Sequence, residues 1–384
     1  MKVPWLDGLV RWTTLGAHAC GLFSTATGWL PEELRRARGI LVVISTALGD
    51  SVSFTPALEA LRAGLPHVPL VGLYHAAFAA MYREDPRLNA VIPYYGKYRR
   101  VAETVRALRQ AGCDVALLAY MAEPDVVPLV GLGGCRWLLR MAGRDTVYRR
   151  MMANPEMLSP VQTAEHAVRR GLRTVEALGC PMTTERPRLP VREAARERVA
   201  DRLGRRRVRP DALRVGLHPG ASVENKRWPG ASFVALGRRL LARDISIHLV
   251  LTGGPGEREL VRRIVADLGS PERVTDVAGE VGIADLPALV ASLDLLISAD
   301  TGVAHVAYAV GTPSVTMFWR SDPAVSGPMH DLNRHVVVAR QPLCPPCRTR
   351  TCEYPACAES ITPDHVLEVA LPLLDRRAVV KESR

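Results

Sequence analysis

Lysine is nearly missing from this chain. Of its 50 cationic residues only four are lysines, Lys2, Lys97, Lys226 and Lys381, and the other 46 are arginines. A bias of that size reflects genomic background, so a single arginine says little about function and a single lysine says more. Aromatic residues are also scarce, at 5%. A strand-binding protein would interleave stacking platforms with its basic residues, so a nucleic-acid partner is not expected. No uncharged apolar run reaches the roughly 18 residues of a membrane-spanning helix. Eight cysteines in 384 residues are too dilute for a disulfide scaffold. No GxGxxG is present, so a dinucleotide fingerprint is absent. Only Lys2 precedes the first apolar patch, and Asp7 and Arg11 interrupt it, which does not fit a secretory signal.

What is present is ordinary globular material: 48% hydrophobic and 23% charged residues, enough chain for two or three domains. The net charge of +11 is uneven. Residues 1–190 hold 23 Lys+Arg against 16 Asp+Glu, and the remainder holds 27 against 23. The first half is the more cationic, which suits an acidic partner.

Residues 1–39 form an N-terminal extension whose apolar patches (Trp5, Leu6, Leu9, Val10, Trp12) read as helices lying on the protein or at a membrane surface. From residue 40 strands and helices alternate. The run 39–45 (GILVVIS) is a buried strand, 55–63 a helix with Pro56 in its first turn, and 68–74, 89–93 and 114–119 are strands with a helix over 98–110. Residues 191–212, dense in charge, read as a linker containing a charged helix, following a domain over 40–190. A second alternating series occupies 213–384. The class is therefore α/β, two Rossmann-like domains facing across a cleft, with ligands at the carboxyl ends of the strands.

Four strand-end loops carry candidate chemistry. In 45–51 (STALGDS) Asp50 stands near a helix start, where it fits either a functional carboxylate or a helix cap. In 218–229 (HPGASVENKRWP) backbone N–H groups, Ser222 and Lys226 can meet a phosphate. In 251–259 (LTGGPGERE) Glu257 or Glu259 can accept from ribose hydroxyls, or simply complement a helix dipole. In 297–305 (ISADTGVAH) Asp300, Thr301 and Gly302 open a helix that can bind an anion, with His305 in its first turn. Near the C-terminus Cys344, Cys347, Cys352 and Cys357 are spaced C-x2-C-x4-C-x4-C. Four thiolates so close fit a structural zinc or iron, and equally serve as reduced packing residues.

The order of these motifs resembles glycosyltransferase family 9, the ADP-heptose:lipopolysaccharide heptosyltransferases. The residues carrying the resemblance are ALGD (47–50), TPAL (55–58), HPGAS with NKRWP (218–229), GGPGE (253–257), ADTG (299–302) with His305, GTPSV (311–315) and SDP (321–323). The resemblance implies a GT-B fold, with an acceptor-binding first domain and a nucleotide-sugar-binding second domain. It implies inverting transfer of a heptosyl group from an ADP-heptose-type donor to an acceptor hydroxyl on an acidic glycolipid, the lipopolysaccharide core. No cofactor and no catalytic metal are required. Asp50 would be the general base, and Ser222 and Lys226 would meet the departing diphosphate. Asp300 would hold sugar hydroxyls, and Thr301, Gly302 and His305 the pyrophosphate. Glu257 would contact the ribose and Val281 the nucleobase. The location implied is cytoplasmic, at the cytoplasmic face of the inner membrane. The sequence departs from the family at Val303-Ala304 and after Pro323, which leaves open a same-fold transferase acting on a protein or a small natural product.

Overall fold

The computed structural model describes residues 4–19, 25–26, 31–121, 124–141, 148–154, 165–341 and 356–382. The chain divides into two compact units, Met1–Pro187 and Arg188–Arg384.

The first unit runs α1 (Pro4–Ala19), α2 (Pro31–Arg35), β1 (Ile40–Ile44), α3 (Leu48–Ser53), α4 (Thr55–Gly64), β2 (Leu70–His75), α5 (Ala76–Ala79) and β3 (Ala90–Tyr94). It continues with α6 (Val101–Ala111), β4 (Val115–Tyr120), α7 (Val126–Leu132), β5 (Trp137–Arg140) and α8 (Ala167–Ala177). The five strands are all parallel, in the order β3-β2-β1-β4-β5. Every residue of β1 is buried, as expected for a β-branched run covered on both faces. The chain moves outward from β1 to β3 and then returns to the other side of β1 with β4. That reversal puts the switch point between the ends of β1 and β4, where such sheets take ligands.

The second unit contains α9 (Glu193–Arg205), β6 (Leu213–His218), α10 (Gly230–Arg243), β7 (Ile247–Leu251), α11 (Arg258–Leu268), β8 (Val274–Asp276) and α12 (Leu286–Ala291). Next come β9 (Leu295–Ala299), α13 (Gly302–Val310), β10 (Ser314–Phe318), α14 (Pro323–Ser326), β11 (His335–Ala339), α15 (Ala356–Glu359) and α16 (Pro363–Glu382). Its six parallel strands run β11-β10-β9-β6-β7-β8. Here the switch point lies between β6 and β9. Each unit is thus a Rossmann-like α/β layer.

The charged segment 191–212 differs from its reading as a linker. The units part between Pro187 and Arg188, and α9 packs within the second one. Ala195, Val199 and Leu203 are buried, a four-residue spacing that makes one apolar stripe. Its outer arginines are held too: Arg198 pairs with Asp285 at 2.6 Å and Arg202 with Glu280 at 3.3 Å. Composition counts the charges but not the stripe. The short edge strands β5 and β11 are also not singled out by patterning.

The extension is helical in α1 and α2. Asp7 of α1 accepts hydrogen bonds from Lys97 Nζ and, at 2.9 Å, from Tyr98 Oη. One of the four lysines is therefore an anchor for this helix.

In the second unit Trp228 is 2% exposed and meets Phe233 edge to face at 4.9 Å. Its Nε1 donates to the Ile361 carbonyl at 2.8 Å, tying the loop after β6 to the start of α16. Trp228→Phe should cost about 1–3 kcal/mol, because it leaves that buried carbonyl unpaired. Trp228→Ala should cost about 3–5 kcal/mol. Urea denaturation of both variants measures the difference.

Candidate active site

The functional side chains stand where the strands end. β9 stops at Ala299, Asp300 follows, and α13 opens with Thr301 as its cap and Gly302 as its first residue. The loop after β6 turns through HPGAS and a short helical turn over 224–226, which carries Lys226 back over the end of β9. There Lys226 Nζ lies 2.7 Å from Asp300 Oδ2 and 3.4 Å from the Asp300 carbonyl oxygen. His305 Nε2 faces the other oxygen, Asp300 Oδ1, at 3.7 Å. The structure thus brings Lys226, Asp300 and His305 into one cluster with Thr301 and Gly302 at the N-terminus of a nine-residue helix.

Asp300 is 9% exposed. Burial alone would raise its carboxyl. The His305 ring and the Lys226 ammonium overcome that and hold it well below the ordinary carboxylate range. The cluster is a preset charge arrangement: an ionised carboxylate, an ammonium that gives two of its three N–H groups to Asp300, and the N-terminus of a nine-residue helix.

Ser321 has no role on patterning alone, yet its Oγ donates to Asp300 Oδ2. The same holds for Asn225, whose Oδ1 accepts from Arg320 Nη1 at 2.9 Å and whose carbonyl accepts from Trp319 Nε1 at 3.0 Å. These bonds fasten the Lys226 loop to the segment after β10. The signal was available: SDP begins at residue 321, just past the end of β10, where the strand-end rule applies as it does to β9.

The remaining residues spread out. Ser222 is exposed, on the same loop as Lys226. Glu257 turns its carboxylate back onto the Gly254 N–H at 2.7 Å. It also lies against Gly220, where a Cβ would sit 2.0 Å from Glu257 Oε1. That position accepts no side chain while Glu257 stays in place. His218 is buried and shares a hydrogen bond with Thr252 at 3.0 Å, and burial pushes its imidazole below the ordinary value. Val281 lines a cavity of about 250 Å³ with Arg198, Arg202, Arg205 and Glu280, and none of the other named donor-site residues reaches it.

In the first unit Asp50 is the third residue of α3, whose cap is Ala47. The helix-cap reading of Asp50 is therefore replaced. Its Oδ2 instead accepts from Thr46 Oγ1 at 2.5 Å, which fixes the carboxylate just beyond β1.

Among the described residues no cluster of three or more His, Cys, Asp or Glu side chains fits a metal ion. Cys344, Cys347 and Cys352 lie outside the described residues, and Cys357 is half-buried on α15. Among the described residues no helix is long and apolar enough to cross a membrane.

Because the folded-state value of Asp300 is depressed, its contribution to stability is complete above its unfolded value of about 3.9. It is lost as pH falls from there toward the folded value. Asp300→Asn should cost on the order of 3 kcal/mol at pH 7, since Lys226 loses its partner. The gap between parent and variant should shrink below pH 4. Denaturant unfolding between pH 3 and 7 measures it.

Comparison with known proteins agrees with this geometry. The pattern of glycosyltransferase family 9 (heptosyltransferase) matches residues 142–358. Lipopolysaccharide heptosyltransferase 1 of Pseudomonas aeruginosa is 25% identical over 328 residues, covering 82% of this chain and 87% of the relative. Lipopolysaccharide heptosyltransferase 3 of Escherichia coli is 26% identical over 287 residues, covering 71% and 81%. Among solved structures, a family 9 glycosyltransferase from Veillonella parvula superposes with a TM-score of 0.72 at 19% identity, covering 88% of this chain and 97% of its own. The ADP-heptose lipopolysaccharide heptosyltransferase II of E. coli gives 0.66 at 21%, covering 88% and 99%. These two likenesses establish the fold, GT-B. With the family pattern spanning more than half its length and running through the Lys226–Asp300–His305 cluster, this chain belongs to glycosyltransferase family 9, the heptosyltransferase enzymes.

Proposed function

We propose that the protein moves a heptosyl group from an ADP-heptose-type donor to a hydroxyl of an acidic glycolipid, the lipopolysaccharide core. Transfer inverts the anomeric carbon and uses no catalytic metal. The observation that carries this reading is the Lys226–Asp300–His305 cluster at the start of α13, in a chain of this family. The cationic excess of residues 1–190 supports an acidic acceptor over a neutral natural product.

In this mechanism the Asp50 carboxylate takes the proton of the acceptor hydroxyl. The acceptor oxygen forms a bond to the anomeric carbon as the bond from that carbon to the diphosphate breaks. The electron pair leaves on the diphosphate, and ADP departs. Lys226 keeps one N–H for the departing charge, beside Ser222, the N–H groups of Thr301 and Gly302, and His305. Positive charge placed in advance where negative charge develops is the strongest catalytic device available to such a site. Asp300 holds sugar hydroxyls with its remaining acceptor capacity, Glu257 the ribose, and Val281 the base.

The same reading puts the enzyme in the cytoplasm, against the inner membrane. What supports contact is the outer ridge of α1. Trp5, Leu9 and Trp12 fall on one helical face and are 70%, 51% and 78% exposed, while Asp7 on the inner face is tied down. Exposed tryptophans at helical spacing suit the headgroup layer of an anionic bilayer.

Asp50→Ala should lower turnover about 10²–10⁴-fold while leaving the rise in melting temperature caused by ADP unchanged. Parental turnover in that variant removes Asp50 from the chemistry. Lys226→Ala and His305→Ala should weaken ADP protection, and Lys226→Arg should restore part of it; equal protection in both alanine variants defeats the donor assignment. Flotation with phosphatidylglycerol-containing vesicles should recover the parent, and Trp5→Ser/Trp12→Ser should stay with the soluble fraction. Recovery of both alike rules out the α1 ridge.

A further inference from the structure

His305 is the member of the donor cluster that Asp300 holds least firmly. Lys226 Nζ lies 2.7 Å from Asp300 Oδ2, well inside hydrogen-bond range. His305 Nε2 stands 3.7 Å from Asp300 Oδ1, which is beyond that range. The last torsion of a histidine side chain is broad, with no sharp staggered wells. A contact that long does not choose one setting of it. For His305 to meet a diphosphate in a fixed direction, another group has to set the plane of its ring.

Tyr308 is placed to do so. Both residues belong to α13, and residues three apart are neighbours on a helix surface. Helical side chains also lean toward the N-terminus, so Tyr308 leans back over His305. The two rings meet edge to face, with centroids 5.6 Å apart and planes at 67°, a favoured geometry for an aromatic pair.

Tyr308 is itself held twice. Its Oη donates to Thr316 Oγ1 of β10 at 2.8 Å. Its ring also meets the His335 ring edge to face, at 5.1 Å and 71°. His335 opens β11 opposite Ser314 of β10, and its Nδ1 shares a hydrogen bond with Ser314 Oγ at 3.0 Å. Ser314, Thr316 and His335 are all buried. One line of contacts therefore runs from the donor cluster through α13 into β10 and β11.

The hydroxyl separates positioning from filling. A side chain needed only to fill the space between α13 and β10 would serve as Leu or Phe, which bring no polar group to be satisfied there. Tyr308 brings one, and Thr316 meets it. Burial pushes the phenol above its ordinary value, and the Asp300 charge adds to this, so the group stays an O–H donor. A hydrogen bond at the far end of a rigid ring fixes that ring, and a fixed ring fixes the plane of what packs against its edge.

We propose that Tyr308 is a positioning residue for the donor half of the reaction. Its ring, tethered by Thr316 and backed by His335, sets the plane in which the His305 imidazole meets the diphosphate of the nucleotide sugar. This rests on the reading that His305 contacts that diphosphate. Tyr308 acts through His305.

The test is a double-mutant cycle on the full chain, with ADP affinity read by calorimetric titration. Tyr308→Leu should weaken ADP binding about three- to tenfold, the range of one aromatic pair. Tyr308→Phe and Thr316→Val should each weaken it less, and to the same degree, because both cut the tether and keep the ring. In a His305→Ala background none of the three should change ADP affinity further, since their effect passes through the imidazole. In transfer assays Tyr308→Leu should raise the donor KM and leave the acceptor KM alone. An equal loss with and without His305 makes Tyr308 a packing residue of α13 and overturns the proposal. So does parental ADP affinity in Tyr308→Leu. If Tyr308→Leu does not fold, Tyr308→Phe and Thr316→Val run the same cycle, with the same outcomes for and against. Parental affinity in His305→Ala alone overturns the reading of His305 and the proposal with it, whereas a loss there that the Tyr308 variants do not share overturns the proposal only.

Discussion

The second unit depends on one ion pair. Lys226 comes from the loop after β6 and Asp300 from the end of β9, and these strands are neighbours across the point where the sheet reverses. Joining them fixes the loop that carries Ser222 and the helix that begins at Gly302. Ser321, Asn225 and Arg320 then lock the segment after β10 onto the same point. The pair is mostly desolvated, so its attraction is strong and its loss would leave a charge without compensation. That is also why the site is set before any ligand arrives.

Parallel sheets explain why so few residues suffice. All strands of a unit end on one edge, and every loop that follows a strand delivers its side chains there. Thr46 and Asp50 after β1, Tyr120 closing β4 and Arg140 closing β5 share that edge in the first unit. Lys226, Asp300 and Ser321 share it in the second. The topology, more than any single motif, collects them.

Both units neutralise charge locally. In the second, Asp300 meets an ammonium and an imidazole, and the outer arginines of α9 meet Asp285 and Glu280. In the first, Arg87 is closed in the same way by Asp85 at 2.6 Å. A closed network of this kind is rigid and complete.

By itself the sequence determined the alternation of strands and helices, the α/β class and the family. The apolar, β-branched-rich run of β1 and the position of Pro56 fix elements through local sterics and burial, which nearest neighbours in the chain suffice to reveal. It also pointed to Asp50, Lys226, Asp300 and His305, because each follows a strand and because a lysine is rare here. Only the tertiary structure decided what these residues do to one another. That Lys226 meets Asp300, 74 positions away, that Ser321 completes the contact, and that Glu257 folds over Gly220 are facts of register and packing. No pattern in the sequence marks these partners, since pairing is set by which strands lie side by side and how far each side chain reaches.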